Sequence, residues 1–267
     1  MPETVSLTLA DHVALVTLER LTMAPIFFAE IEALFQQLAK EPELRAVVVR
    51  SSCKAFSYGL DLPAAFQEMG HHFSGGATAG SRMALLAHIR RLQGAFNAVA
   101  ACPVPVIAAV HGHCIGGGLD LIAASDIRLC SADATFSLRE TKIAIVADLG
   151  SLQRLPAIIG KGHTRELAFT GKDIGAARAR EIGLVNQVFE SREALIAGAE
   201  AMAREIAQNP PLTVRGVKEV LDYGEDKTVA EGLNYVAAWN SAFLASEDLG
   251  EAFAAFIEKR KPAFKGR

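Results

Sequence analysis

The stretch His111-Gly112-His113-Cys114-Ile115-Gly116-Gly117-Gly118-Leu119-Asp120 decides the fold. It follows the apolar run Pro105-Val106-Ile107-Ala108-Ala109-Val110 and leads into Leu119-Asp120-Leu121-Ile122-Ala123-Ala124, so it reads as strand, glycine turn and helix. Each glycine inside a helix is less favourable than alanine by roughly 0.5–1 kcal/mol, so three in succession need a reason. A ligand approaching bare backbone at a helix start supplies one, because the first amides there lack intrahelical acceptors and the helix dipole favours negative charge. Asp120, two residues beyond the glycines, is placed to act on such a ligand.

Outward from this turn, Val5–Leu9 and His12–Leu18 alternate as two strands joined at Asp11. Residues 26–40 follow a helical period with Ile31, Leu34, Phe35 and Leu38 on one stripe. Ala46–Val49 reads as a short buried strand, Gly70–Ser81 as a loop, and Arg82 to Ala101 as a helix stopped by Cys102-Pro103. Further strands are expected at Ile127–Cys130, Thr135–Leu138 and Val185–Phe189, with helices dominating beyond Gly150. The expectation is an α/β protein with a strand-and-helix core over residues 1–190. A helical region follows over 191–267, broken near Asn209-Pro210-Pro211 and Gly224, its apolar faces suited to packing on other subunits.

The chain has 267 residues, 51% hydrophobic and 21% charged, with a formal net charge of −3, which is the balance of a globular domain. No basic stripe suggests nucleic acid, and no apolar run is long enough to span a membrane. Cys53, Cys102, Cys114 and Cys130 are scattered without a C-x-x-C pair, which predicts a reducing compartment, no disulfide scaffold and no metal site. Met1-Pro2-Glu3-Thr4 carries an early acid and no apolar segment, so neither a secretory signal nor a transit peptide is expected, and the location expected is cytoplasmic.

A second loop, Lys54-Ala55-Phe56-Ser57-Tyr58-Gly59-Leu60-Asp61-Leu62, follows the Val47–Val49 strand. Two amides from separate strand ends converging on one oxygen would make an oxyanion hole. Together, Ala55-Phe56-Ser57-x-Gly59-x-Asp61-Leu62, Gly116-Gly117-Gly118-x-Asp120-Leu121, Asp126-Ile127, Gln153-Arg154-Leu155-Pro156 and Gly183-Leu184-Val185 resemble the enoyl-CoA hydratase/isomerase (crotonase) superfamily. The resemblance implies a β/α spiral core, a C-terminal helical trimerisation region, and homotrimers or dimers of trimers. It also implies an acyl-CoA thioester substrate, with coenzyme A part of that substrate and no separate cofactor. By motif, the oxyanion amides fall on Leu60 and Gly117, and Ser57, Tyr58, Gly59, Leu60, Asp61, Gly116 and Gly117 contact the substrate. Departures are Glu19-Arg20-Leu21-Thr22-Met23-Ala24-Pro25, where the family carries Asn-Arg-Pro-x-x-x-Asn-Ala, and Tyr58, where a small residue is common.

Asp120 and Glu140 fall where family hydratases carry two glutamates, and Asp148 falls where they carry glycine. This set resembles the Δ3,5-Δ2,4-dienoyl-CoA isomerase branch, which implies a role in fatty-acid β-oxidation. In that reading Glu140 removes the C2 proton, Asp148 protonates C6, and Asp120 orients or tunes them. Enoyl-CoA hydration is the alternative, and a non-catalytic acyl-CoA- or RNA-binding member a further one. Taken singly the acids have structural readings: Asp120 as a dipole partner of its own helix, Asp148 as a cap near Gly150, and Glu140 paired with Arg139 or Lys142. Asp61 and Asp126 are also expected to cap or bond loops.

Overall fold

A computed structural model describes residues 3–73 and 78–267. The chain opens on a hairpin, β1 (Val5–Ala10) and β2 (Val13–Leu18), whose turn residues Asp11 and His12 adopt φ of 51° and 66°. A helix α1 (Pro25–Leu38) precedes β3 (Ala46–Ser51), and then come α2 (Leu62–Phe73) and α3 (Ala79–Ala100). The expected 70–81 loop is therefore mostly helix, with Thr78 capping α3 through the Ser81 amide; residues 74–77 lie outside the described residues. Glycine, serine and histidine content suggested a break there, but a side-chain cap and the pairing of α2 with its neighbours outweigh weak helix propensity.

After α3 come β4 (Val106–Val110), β5 (His113–Ile115), α4 (Gly117–Ala123), β6 (Ile127–Ser131) and β7 (Thr135–Ser137). A 3-10 turn (Glu140–Ile143), α5 (Ser151–Thr170), β8 (Asp173–Gly175), α6 (Ala176–Glu181) and β9 (Gln187–Phe189) complete the spiral. The main sheet runs β1-β2-β3-β4-β6-β9 and is parallel except for the β1–β2 pair, and a small second sheet runs β5-β7-β8. The short strands β5 and β8 were not expected: β5 lies within the glycine-bearing run and β8 just after Gly171, where glycines read as turns.

The parallel strands are covered on both faces, which is why they read as unbroken apolar runs. Val47 and Val49 face one core with Phe28, Phe35 and Phe96 of α1 and α3. Their neighbours Ala46 and Val48 face the other, with Leu195, Ala199, Ala203 and Ala207 of α7 (Arg192–Ala207). The alanine stripe lets α7 lie close on the sheet.

Three more helices follow: α8 (Pro211–Gly224), α9 (Val229–Phe243) and α10 (Glu247–Glu258). They leave Val217, Leu221, Leu233, Phe253, Phe256 and Ile257 exposed. An ion pair with a buried lysine ties α8 to the spiral: Lys218 Nζ lies 2.7 Å from Asp126 Oδ2, which also accepts the Val106 amide at 2.7 Å. Lys218 is 8% exposed, so Asp126→Ala would strand a buried ammonium. The expected outcome is a loss of about 3 kcal/mol, read as a lower urea midpoint.

Candidate active site

The two loops meet through backbone contacts that only glycine permits. A Cβ on Gly59, whose φ is +82°, would fall 2.7 Å from the Ile115 carbonyl oxygen and 3.3 Å from the Gly117 nitrogen. Gly116, with φ 52° and ψ −118°, sits at the start of α4 in a conformation that side chains rarely adopt. Gly118 is pressed against Ser57, whose Cβ a methyl there would approach to 2.9 Å. Each strand end is thus locked to the other.

Met23 sets the direction of the first amide. Its N–H donates to Gly59 O at 2.8 Å and its carbonyl accepts the Asp61 N–H at 3.0 Å. Residues 59 and 61 therefore face Met23, and the Leu60 N–H between them points the other way. The Gly117 N–H is the first of α4, where no intrahelical acceptor exists. Met23 lies in the stretch that departs from the family pattern, so its part was not legible from motifs.

Both residues line one cavity of about 160 Å³, together with Tyr58, Gly59, Gly116, Asp120, Glu140 and Asp148. Leu62, Ile115, Arg139, Ile143, Ile145 and Leu149 complete the wall, and none of these six was expected from the sequence to contact the substrate. Ser57 and Asp61 stand behind it. Ser57 Oγ accepts the Gly59 amide at 3.0 Å, and Asp61 accepts the Ala64 amide at 3.1 Å and the Thr22 hydroxyl at 2.8 Å.

The three acids reach the cavity from different elements. Asp120, 1% exposed, projects from α4 and accepts the Ser151 amide at 2.6 Å, so it caps α5 rather than serving only its own helix. Glu140 opens the 3-10 turn. Arg139 is engaged by Asp173, and Glu140 Oε2 is buried with no hydrogen-bond partner among the described residues. Asp148 lies on the irregular segment before α5, whose N-cap is Gly150.

Burial raises all three carboxyl groups. Glu140 is pushed up to about 7, mainly by desolvation and then by the charge of Asp120. Asp120 rises to about 6 through desolvation, held back by its bonds to Ser151. Asp148 is raised by desolvation and held back by its own backbone N–H and by His88. Near neutral pH the cluster therefore shares protons, so an acid and a base coexist on one wall.

With this geometry in view, comparison with known proteins defines the class. Residues 9–267 match the enoyl-CoA hydratase/isomerase family, and the chain belongs to that family. It is 43% identical over 242 residues to the mitochondrial Delta(3,5)-Delta(2,4)-dienoyl-CoA isomerase of Dictyostelium discoideum, covering 90% of this chain and 81% of that protein. It is likewise 43% identical over 238 residues to the peroxisomal enzyme of the same name from Arabidopsis thaliana, covering 89% and 86%. Among solved structures, an enoyl-CoA hydratase from Bacillus anthracis superposes with a TM-score of 0.89 at 30% identity, covering 99% of this chain and all of that one. The fold is the crotonase-like spiral.

These relatives correct one expectation. A cytoplasmic location was read from the N-terminal residues and the unpaired cysteines, but the relatives are named mitochondrial and peroxisomal. Unpaired thiols indicate reducing surroundings, and that condition does not single out the cytosol.

A stability test follows from the buried acid. Because Glu140 ionises higher in the fold than its ordinary 4.5, its charged form is disfavoured there, and the penalty grows as pH rises from about 4.5 to about 7. Glu140→Gln should match the parent below that window and exceed it by on the order of 2 kcal/mol above it, measured by denaturant unfolding across pH.

Proposed function

We propose that this protein is a Δ3,5-Δ2,4-dienoyl-CoA isomerase. The observation that carries the reading is the meeting of Asp120, Glu140 and Asp148 in the one cavity lined by Leu60 and Gly117. The relatives of that name, matched over most of their length, support it.

The thioester carbonyl oxygen accepts from the Leu60 and Gly117 amides, and each such donor contributes about 2.7–4 kcal/mol as negative charge develops on that oxygen. Glu140, ionised, removes the C2 proton. The electron pair spreads from the enolate oxygen through C2 and C4 to C6. Asp148, protonated, delivers a proton to C6, leaving double bonds at C2=C3 and C4=C5. Glu140 ends protonated and Asp148 ionised, and exchange with solvent restores the starting state. A base that ionises near 7 matches proton removal at neutral pH. Asp120 holds α5 and raises Glu140, which makes it a tuning group.

The hydratase alternative requires two carboxylates gripping a water. One oxygen of Asp120 already accepts the Ser151 amide, which weakens that grip. The exposed apolar residues of α8, α9 and α10 support assembly into homotrimers, alone or paired, through these helices. Coenzyme A enters as part of the substrate, and no separate cofactor takes part in these steps.

The direct assay supplies a 3,5-dienoyl-CoA and follows the absorbance of the conjugated 2,4-dienoyl thioester. Turnover is expected, with Asp148→Asn losing it; rapid hydration of crotonyl-CoA with no dienoyl conversion would reject the proposal. Gly59→Ala forces a methyl onto the Ile115 carbonyl and turns the Leu60 amide. Its kcat should fall by about 10²–10³, as for removal of one oxyanion donor.

A further inference from the structure

Asp148 is the acid that separates this site from a water-adding one, yet it stands on a segment without helix or strand, between the 3-10 turn and α5. Its side chain lines the cavity from that segment, so its aim follows the orientation of its own peptide. That peptide is held from α3. Gln93 Nε2 donates to the Asp148 carbonyl oxygen at 2.7 Å, joining residues 55 apart in sequence. The donor must be the amide nitrogen, because a carbonyl only accepts, and this fixes which way the Gln93 amide is turned.

A second amide repeats the arrangement one turn along the same face of α3. Asn97 Oδ1 accepts from Arg154 Nη2 at 2.7 Å. The Arg154 guanidinium lies over Gly150, where a Cβ would meet its Nη1 at 1.9 Å, and its charge also bears on Asp120. Residues four apart on a helix share a side. Gln93 and Asn97 therefore grip the two ends of the 148–154 segment, while Leu92, Ala95, Phe96 and Val99 of the same helix are buried in the core. Neither amide lines the cavity.

We infer that Gln93 is a positioning residue for the second acid, holding the Asp148 peptide so that its carboxyl meets C6 while taking no part at C2. The inference rests on the isomerase reading above. The C2 step uses the two backbone amides and Glu140, whereas the Gln93 side-chain hydrogen bond goes to the Asp148 peptide. A shift of the Asp148 peptide should therefore slow only the delivery of the proton to C6.

The test compares the parent with Gln93→Met, which keeps chain length and loses the donor, using 3,5-dienoyl-CoA with and without deuterium at C2. The expected result is a kcat lower by about ten-fold or more, the loss that misplacement of a reacting group produces, with KM within two-fold. The C2 isotope effect should fall toward one as the C6 step becomes limiting. A purely structural role would lower the active fraction and leave that isotope effect unchanged. An unchanged kcat, or a lower kcat with an unchanged or larger C2 isotope effect, overturns the inference. Gln93→Asn, one methylene too short to reach, is read in the same assays and decides the matter if the methionine variant does not fold. Failure of the parent to convert the dienoyl thioester would sink the isomerase reading itself, whereas parent turnover untouched by the Gln93 changes would sink this inference alone.

Discussion

Everything proposed for the site depends on two backbone N–H groups, those of Leu60 and Gly117, on one cavity wall with no hydrogen-bond partner among the described residues. Unpaired amides are unfavourable in a folded interior, so the surroundings must enforce them. The enforcement here is contact between main chains: Gly59 packs on the Ile115 carbonyl, and Met23 engages residues 59 and 61 from the opposite side. The first loop leaves β3 of the main sheet, and the second follows β5, which comes two residues after β4, the parallel neighbour of β3. Packing of α1, α3 and α7 on its two faces gives those strand ends a rigid base.

The acids are arranged on a different principle. Each is buried enough that its charged form is disfavoured, and each is reached from a separate element, so that their spacing is set by tertiary packing. Such groups lower stability at neutral pH, because their charged forms are disfavoured in the fold. Asp120 recovers part of that loss by capping α5. Glu140 recovers less, since Arg139 is turned toward Asp173 and Glu140 Oε2 finds no hydrogen bond among the described residues.

Much of this was legible in the sequence, because backbone requirements leave strong traces. Gly59 and Gly116–Gly118 have no other use at those positions, and the unbroken valine and alanine runs announce strands covered on both faces. The meeting of Asp120, Glu140 and Asp148 was implied by the family resemblance of the motifs that carry them. What could not be read were contacts whose partners are distant and chemically ordinary. Met23 acts only through its main chain, so its identity carries no signal. Gln93 and Asn97 look like any polar residues on a helix, and their partners are 55 and 57 residues away. The short strands β5 and β8, and the helical course of α2 toward residue 73, are fixed by neighbours rather than by local propensity.

The bond between the Asp120 carboxyl and the Ser151 amide, 2.6 Å long, joins two tasks in one side chain. The same carboxyl that shapes the proton balance of the cavity also sets where the next long helix begins. A longer acid at position 120 would displace the start of α5, and with it the loop that carries Asp148. Changes at 120 and at 148–151 are therefore coupled, and their effects will not add. Drift between bond-shifting and water-adding chemistry on this scaffold is then a matter of epistasis, in which the order of replacements decides which routes stay folded.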